Sequence, residues 1–286
     1  MTDLAWSFFN ICNMAAEKPD RPMNARQHIW ASELAIAPVD VILRMRGTTP
    51  TNPPNARSMR KFHAGNVWES YMYLVLYTAG ILKAEQTHLS HQYPGLLEVT
   101  GKLDFVAGGT PDWERARVLT KQIEYLEPIR YFIDNMIDGF ERAYGNNTLK
   151  EIIVECKSVS AFMFPRYQKI GKPSLSHAVQ CFHYEKSTGR DEGHIVYINK
   201  DDSQMLEFGV YNPSDTEIEY KSRIENLTKW YNSSELPPIE QEILFDDETG
   251  RFSTNWRVEY SNYLSMLYNY EQPDDYRTKW TPVVSS

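Results

Sequence analysis

The stretch LKEIIVECK, from Leu149 to Lys157, decides the fold because it is the strongest strand signal in the chain. An apolar run leads directly into Glu155, Cys156 and Lys157. Residues two apart on a strand face the same side, so Glu155 and Lys157 should leave one face together. Charges next to a core are costly unless they are paired or hold a metal. The strand therefore predicts a functional site, or else an edge strand whose Glu and Lys are solvated.

A second strand carries an acidic residue that could meet this pair. The sequence LLEVTGKLDFVA, from Leu96 to Ala107, alternates as a strand does and includes Asp104. If the two strands are neighbours, two carboxylates and one ammonium converge. Carboxylates bind divalent cations through hard oxygen atoms, and such cations polarise a phosphoryl oxygen and activate water. The E-x-K tripeptide is common, so by itself it does not decide between phosphodiester hydrolysis and a solvated strand.

The remaining periodicity switches repeatedly between helix and strand. Apolar spacing predicts helices over residues 29–43, 65–82, 111–144, 174–187, 213–231 and 260–270, and strands over 193–200 and 205–211. This order predicts an α/β fold with a central mixed β-sheet flanked by helices and a helical N-terminal region. No linker divides the chain, so we expect one domain over 1–286, with a core over 57–211, a helical insertion over 111–147 and C-terminal helices over 213–270. Residues 235–250, with two prolines and six acidic residues, should form a surface connector.

Composition excludes several classes of protein. The 286 residues are 42% hydrophobic and 24% charged, which is typical of globular proteins. Cys12, Cys156 and Cys181 are too few and too scattered for a disulfide framework or a four-cysteine metal site, and this favours a reducing, cytoplasmic location. The longest apolar run, near residues 71–82, is shorter than the ~20 residues of a membrane span. No membrane association is therefore expected.

Positive charge is concentrated in two stretches, although the net charge is −8. Residues 41–68 and 156–184 contain no acidic residue. An acidic protein that binds a phosphate backbone needs such local patches, and Phe162, Phe164 and Tyr167 could stack on the bases of a single strand. The alternative is that the stretches arise by chance and the aromatic residues belong to the core. The candidate DNA-binding residues are Arg57, Arg60, Lys61, Arg166, Lys169 and Lys172.

Four short motifs carry a family resemblance when they are taken in order. They are Gly65-x-x-x-Glu69, Gly101-x-x-Asp104, Glu155-x-Lys157 and Gln180-x-x-x-Tyr184. Each motif is weak alone, but their order and their expected secondary structure resemble the PD-(D/E)XK nuclease superfamily, in its RecB-like and lambda-type phage exonuclease branch. The resemblance covers about residues 32–200. It implies a restriction-endonuclease-like core.

The resemblance also implies roles for individual residues. Asp104, Glu155 and the backbone carbonyl of Cys156 would bind Mg²⁺ or Mn²⁺, with Glu69 as a further ligand, and Lys157 would serve the nucleophile. Gln180 and Tyr184, one helical turn apart, would match the family's Gln and Tyr that support the site and the DNA. The implied activity is a metal-dependent DNA exonuclease of phage or bacterial recombination, replication or repair. Linear DNA would be the substrate, and a recombination or replication protein or a second copy the partner.

Two departures from the family pattern shape further expectations. Fifty-one residues separate Asp104 from Glu155, more than the short hairpin usual in the family, so residues 111–147 should be an insertion that caps the site or binds a partner. Ala37, Val258 and Ser261 stand where iron–sulfur members of the family have cysteines. Because a cluster needs thiolate ligands, we expect no iron–sulfur cluster and packing in its place.

Two other functions remain open at this stage. One is a structure-specific or restriction-like endonuclease with the same chemistry. The other is a catalytically idle nuclease fold that binds DNA or protein, since folds outlive functions. The joint presence of Asp104, Glu155 and Lys157 argues against the idle fold. His88 and His91 have no third ligand nearby in sequence, so a polar loop is expected there.

Overall fold

The structure is a computed structural model that describes residues 24–54, 56–122, 127–210, 214–246 and 251–268, without the side chains of residues 56, 57, 128, 129, 246 and 251. The described residues group into two compact units. One unit contains residues 24–27, 36–59 and 226–268, and the other contains residues 28–35 and 60–225.

Nine α-helices and eight strands are found in the described part of the chain. The helices are α1 (Pro38–Met45), α2 (Ala56–Thr78), α3 (Trp113–Lys121), α4 (Glu127–Tyr144), α5 (Phe164–Ile170), α6 (Leu175–Thr188), α7 (Ser214–Tyr231), α8 (Trp256–Glu259) and α9 (Leu264–Leu267). The strands are β1 (His28–Trp30), β2 (Leu82–His91), β3 (Glu98–Gly109), β4 (Leu149–Val159), β5 (Gly193–Asn199), β6 (Met205–Val210), β7 (Ile243–Asp246) and β8 (Arg251–Thr254). No described helix is long and apolar enough to cross a membrane.

A six-stranded mixed sheet lies at the centre of the larger unit. Strand β3 pairs antiparallel with β2 and β4 and parallel with β1. Strands β4 and β5 run parallel, and β5 and β6 run antiparallel. Two parallel neighbours require a crossover connection, and here it contains α5 and α6. The mixed sheet flanked by helices confirms the expected fold class.

The two faces of β4 pack against different helices. Val154 faces a core that contains Met72 of α2, Trp113 of α3 and Ile133 of α4. Ile153 faces the other core, where α6 contributes buried side chains. Because side chains alternate along a strand, Glu155 and Lys157 lie on the α6 side. Helices α3 and α4 of the insertion therefore cover the opposite face and do not cap these residues.

Helix α6 begins where the sequence predicts it. The Ser174 side chain accepts a hydrogen bond from the backbone N–H of His177 at 3.3 Å, which satisfies one of the free donors of the first turn. Gly189 ends the helix in the left-handed conformation, with φ of 69°. The cap and the glycine fix the length of α6, and so they fix which of its residues reach the sheet.

The smaller unit contains α1, the β7–β8 hairpin and the short helices α8 and α9. Ala37 packs in a buried cluster with Val39, Leu43 and Tyr263. Ser261 is buried, and its hydroxyl donates a hydrogen bond to Asp40 Oδ1 at 2.7 Å. Ala37 and Ser261, where the sequence resemblance implies lost cysteines, thus make packing or hydrogen-bond contacts here, and Val258 is also buried.

Three sequence-based assignments of secondary structure are wrong. The helix expected over residues 29–43 is a strand, β1, then a short 3-10 helix (Ala31–Ala35) and α1, because Pro38 is suited to the first turn of a helix and not to its interior. His88 and His91, expected in a polar loop, lie on β2. Part of the expected connector over 235–250 is β7. The local sequence signal of β2 and of β7 is weak, and both strands depend on pairing with a neighbouring strand.

Candidate active site

Lys157 and the buried Glu155 form an ion pair on β4. Glu155 is fully buried, at 0% exposure, and Lys157 Nζ donates a hydrogen bond to Glu155 Oε1. The second carboxylate oxygen, Glu155 Oε2, is also buried and has no hydrogen-bond partner. A buried carboxylate oxygen without a donor is costly. The pair therefore leaves one acceptor available for a further cation or donor.

Asp104 lies directly beside this pair. The register of β3 and β4 places Phe105 opposite Val154, so Asp104 is opposite Glu155. Asp104 Oδ2 accepts a hydrogen bond from the backbone N–H of Cys156 at 2.9 Å. Two adjacent strands thus bring two carboxylates and one ammonium together, as the sequence predicts.

Glu69 reaches the same place from α2. Its Oε1 accepts a hydrogen bond from the side-chain amide of Gln86 on β2. Burial and the charge of Asp104 raise the pKa of Glu69 to about 6, while Lys102 and Lys157 oppose that shift. Three carboxylates from three elements are therefore within electrostatic range of one another.

The crowding of negative charge shifts the pKa values of the neighbouring groups. Burial and the charge of Asp104 raise the pKa of Glu155 to about 8. Burial by itself would lower the pKa of Lys157, but Glu155 and Asp104 raise it above its ordinary value, so Lys157 stays an ammonium. Burial, with Asp104, also raises the pKa of the Cys156 thiol, which is therefore not a thiolate nucleophile.

Two glycines of the sequence motifs allow close packing around these residues. A Cβ added at Gly101 would lie 2.7 Å from Tyr184 Cε1, and one added at Gly65 would lie 3.3 Å from Ser158 Oγ. The first contact joins β3 to α6, and the second joins α2 to the end of β4. Both glycines therefore allow the elements that carry the site to approach.

Tyr184 and Gln180 connect α6 to β3. The Tyr184 hydroxyl donates to the Lys102 carbonyl at 2.9 Å and accepts from Gln180 Nε2 at 3.1 Å. Tyr184 is only 1% exposed, so it cannot touch a substrate. Its contacts hold the strand that carries Asp104.

The donor set suits a divalent cation, although it is not a preformed cage. No group of three or more His, Cys, Asp and Glu side chains in the described ranges is gathered closely enough to hold a metal ion. The available groups are nevertheless hard oxygen donors, the kind that Mg²⁺ and Mn²⁺ prefer. The unpartnered Glu155 Oε2 beside Asp104 is the observation that such an ion fits.

Basic residues cluster near the end of β4. Lys61 on α2, Arg166 and Lys169 on α5 and Lys172 after it are exposed, and Arg60 on α2 is half-buried. Lys200, whose backbone N–H donates to the Val159 carbonyl at 2.9 Å, has its pKa lowered by burial and by Lys61. The Arg57 side chain lies outside the described residues.

Only one of the three aromatic candidates for base stacking is accessible. Phe164 is buried in the core, and the Tyr167 ring stacks on Tyr197 with 4.2 Å between centroids. Phe162 is 68% exposed, with the Arg166 guanidinium 4.3 Å from its ring centroid. The core interpretation is therefore right for Phe164.

Sequence reasoning did not assign Gln86, Lys102 or Lys200 to the site. Lys102 stands inside the Gly101-x-x-Asp104 motif, so its position could have been noticed. Lys200 follows β5 and is outside both acid-free stretches. Gln86 lies on β2, a strand that the sequence did not predict, and no motif marks it.

Two cavities differ in their relation to this site. A cavity of about 490 Å³ lies on the Val154 face of β4, next to α4, and none of the candidate catalytic residues lines it. A cleft of about 470 Å³ is lined by Glu69, Gln86, Lys102 and Tyr73, among others. The polar cleft is therefore the one that borders Glu69, although neither Asp104 nor Glu155 lines it.

Comparison with known proteins finds no matching family model and no matching curated protein. Three solved structures are similar. SSO0001 is 12% identical, with a TM-score of 0.42, over 79% of this chain and 87% of that one. LHK-Exo in complex with dAMP is 13% identical, with a TM-score of 0.44, over 72% and 88%. The alkaline exonuclease LHK-Exo from Laribacter hongkongensis is 15% identical, with a TM-score of 0.39, over 72% and 90%.

Proposed function

We propose that the protein is a metal-dependent nuclease that hydrolyses phosphodiester bonds in DNA with Mg²⁺ or Mn²⁺. The observation that carries this proposal is the buried Glu155 carboxylate, which has one oxygen without a partner and lies beside Asp104 and Lys157. Glu155 Oε2 therefore remains able to accept a cation beside Asp104 and Lys157.

The metal would be held by Asp104, Glu155 and the backbone carbonyl of Cys156, with Glu69 as a further ligand. When bound, the ion would polarise a phosphoryl oxygen and lower the pKa of a water molecule. Burial and neighbouring negative charge raise the pKa of Glu69 and of Glu155, and a bound divalent cation would offset the repulsion among these carboxylates.

Lys157 would act as a cation next to the reacting phosphate. Because its pKa is raised, it is protonated at neutral pH and is not a general base. An ammonium at this place can orient the attacking water and offset negative charge that develops in the transition state. Tyr184 would act as a positioning residue, because its hydroxyl donates to the Lys102 carbonyl on the strand that carries Asp104, and Gln180 would support it by donating to that hydroxyl.

Within this proposal the enzyme digests linear DNA from an end, as an exonuclease of phage or bacterial recombination, replication or repair. Lys61, Arg166, Lys169 and Lys172 supply exposed positive charge near the end of β4, and Phe162 supplies an accessible ring. Positive charge tracking a backbone and an exposed ring for bases are the usual components of a strand-binding surface.

The test compares isosteric variants of the two central carboxylates. Asp104→Asn and Glu155→Gln should each lower kcat by about 100-fold or more, because a catalytic metal supplies several kcal/mol and each 1.4 kcal/mol is about tenfold in rate. Both variants should also bind Mn²⁺ more weakly by calorimetry. End-labelled linear and circular DNA, with Mg²⁺, Mn²⁺ or EDTA, distinguish end-dependent digestion from internal cutting.

The matched control is Glu151→Gln on the same strand. Glu151 is exposed and pairs with Arg190 at 2.8 Å, so its change should leave hydrolysis intact. Normal turnover in Asp104→Asn or Glu155→Gln would refute the proposal. Cleavage of circular DNA at the same rate as linear DNA would show that the activity is that of an endonuclease and not of an exonuclease.

A further inference from the structure

We propose that Gln86 is a positioning residue that holds the Glu69 carboxylate toward Asp104 and Glu155. This inference rests on the proposed function, because it concerns the binding of the same metal. Its first support is a contact between two elements. The Gln86 amide Nε2 donates to Glu69 Oε1, which joins β2 to α2 across the cleft.

The strand register places Gln86 next to the centre of the site. Glu85 pairs with Phe105 and Thr87 with Leu103, so Gln86 lies across from Asp104 on the neighbouring strand. Asp104 in turn lies opposite Glu155. Gln86, Asp104 and Glu155 therefore lie side by side on three adjacent strands. The Gln86 amide, at one end of this row, donates its hydrogen bond to Glu69.

The backbone of Gln86 provides the second, independent support. Its φ is 44°, in the left-handed region that residues other than Gly, Asn and Asp adopt rarely. Such a conformation within a strand persists only where the surroundings impose it, and it is found preferentially at functional sites. A glycine or asparagine would fit this backbone more easily, but neither could place an amide at the distance of glutamine.

The chemistry of an amide suits this role. A neutral donor fixes one carboxylate oxygen without neutralising the charge, whereas a lysine or arginine would compete with a metal for Glu69. Residues that bind and orient metal ligands commonly change metal affinity by about 10–100-fold when they are replaced. Gln86 therefore restrains Glu69 while its charge remains available.

The experiment uses variants that separate the amide from the backbone. Gln86→Gly accepts the positive φ and removes the amide, and Gln86→Glu keeps the length but places a carboxylate against Glu69. Both should bind Mn²⁺ about tenfold more weakly by calorimetry and should lower kcat with little change in KM. Gln86→Asn, which accepts the positive φ, controls for folding. Gln92→Ala, which removes a glutamine whose amide donates to the Leu96 carbonyl, should match the wild type.

A crystal structure of metal-free Gln86→Gly supplies a readout that needs neither metal nor activity. We expect the Glu69 carboxylate to turn away from Asp104 in this variant, while thermal unfolding is unchanged. An unmoved Glu69 together with wild-type Mn²⁺ affinity would overturn the inference. A wild-type protein that neither binds Mn²⁺ nor cleaves DNA would instead refute the proposed function, and the position of Glu69 would still decide the role of Gln86.

Discussion

At the residue scale, two buried carboxylates differ in what surrounds them. Glu155 has Lys157 as a partner, whereas Glu185 on α6 is 2% exposed and neither of its oxygens has a hydrogen-bond partner. Burial and the charge of Asp191 raise the pKa of Glu185 to about 8. The pKa of Glu155 is raised to about 8 as well, so the two carboxyls differ in their partners: Glu155 has the Lys157 ammonium beside it, whereas Glu185 is accommodated as a neutral acid.

This difference predicts a pH-dependent stability. The pKa of Glu185 is higher in the folded chain than the ordinary 4.5. The neutral carboxyl therefore contributes fully to the stability of the folded state below pH 4.5, and this contribution is lost as the pH rises to about 8. Between pH 5 and pH 8.5 the free energy of unfolding of the wild type should therefore fall by about 1–3 kcal/mol relative to that of Glu185→Gln, a range that allows for partial solvation.

Urea unfolding of both proteins at the two pH values measures this effect. The control is Glu114→Gln, which changes an exposed carboxylate on α3. The assignment of a buried neutral acid fails if the stability difference between wild type and Glu185→Gln is the same at both pH values.

At the element scale, α1 and the segment after α8 are joined by buried polar contacts. Asp40 on α1 accepts hydrogen bonds from the Ser261 hydroxyl at 2.7 Å and from the Asn262 backbone N–H at 3.2 Å. The Ser261 oxygen in turn accepts from the Tyr263 backbone N–H at 3.0 Å. These bonds join chain segments more than 200 residues apart.

Removing the hydroxyl should therefore destabilise this unit. Ser261→Ala leaves Asp40 buried without one donor, and it should lower the free energy of unfolding by about 1–3 kcal/mol. Guanidinium denaturation followed by circular dichroism measures the change. Ser253→Ala, at an exposed position of β8, should cost far less. Equal stabilities of the two variants would show that the Asp40–Ser261 contact does not hold α1 in place.

At the scale of the whole molecule, the balance of charge decides how DNA could approach. The net charge of −8 repels a phosphate backbone, so binding must depend on local positive residues. Lys169 and Lys172 are exposed within an acid-free stretch that begins at β4. Contacts between such lysines and phosphates release counterions. Each lost phosphate contact should therefore reduce the slope of log affinity against log salt concentration by about 0.9.

The prediction compares two double variants of equal net charge. Lys169→Glu with Lys172→Glu should weaken binding of linear DNA and flatten the plot of log affinity against log salt. Lys121→Glu with Lys221→Glu changes exposed lysines of α3 and α7 and should keep the wild-type slope. Fluorescence anisotropy in the Glu155→Gln background, where cleavage is suppressed, gives both slopes. Equal slopes for the two variants would place the DNA contacts elsewhere.

The sequence by itself determined the features that depend on local periodicity. Alternation along β4 put Glu155 and Lys157 on one face, and Ser174 marked the start of α6. These features follow from side chains a few residues apart, so they can be predicted without knowledge of any partner strand.

Only the tertiary structure decided which distant residues meet. Strand β2 exists because β3 pairs with it, and this pairing places Gln86 across from Asp104. Packing of α3 and α4 on the Val154 side put the insertion away from Glu155, and the contact of Asp40 with Ser261 spans most of the chain. Such contacts leave no periodic trace in the sequence, because their free energy comes from burial and pairing with a partner that only folding brings close.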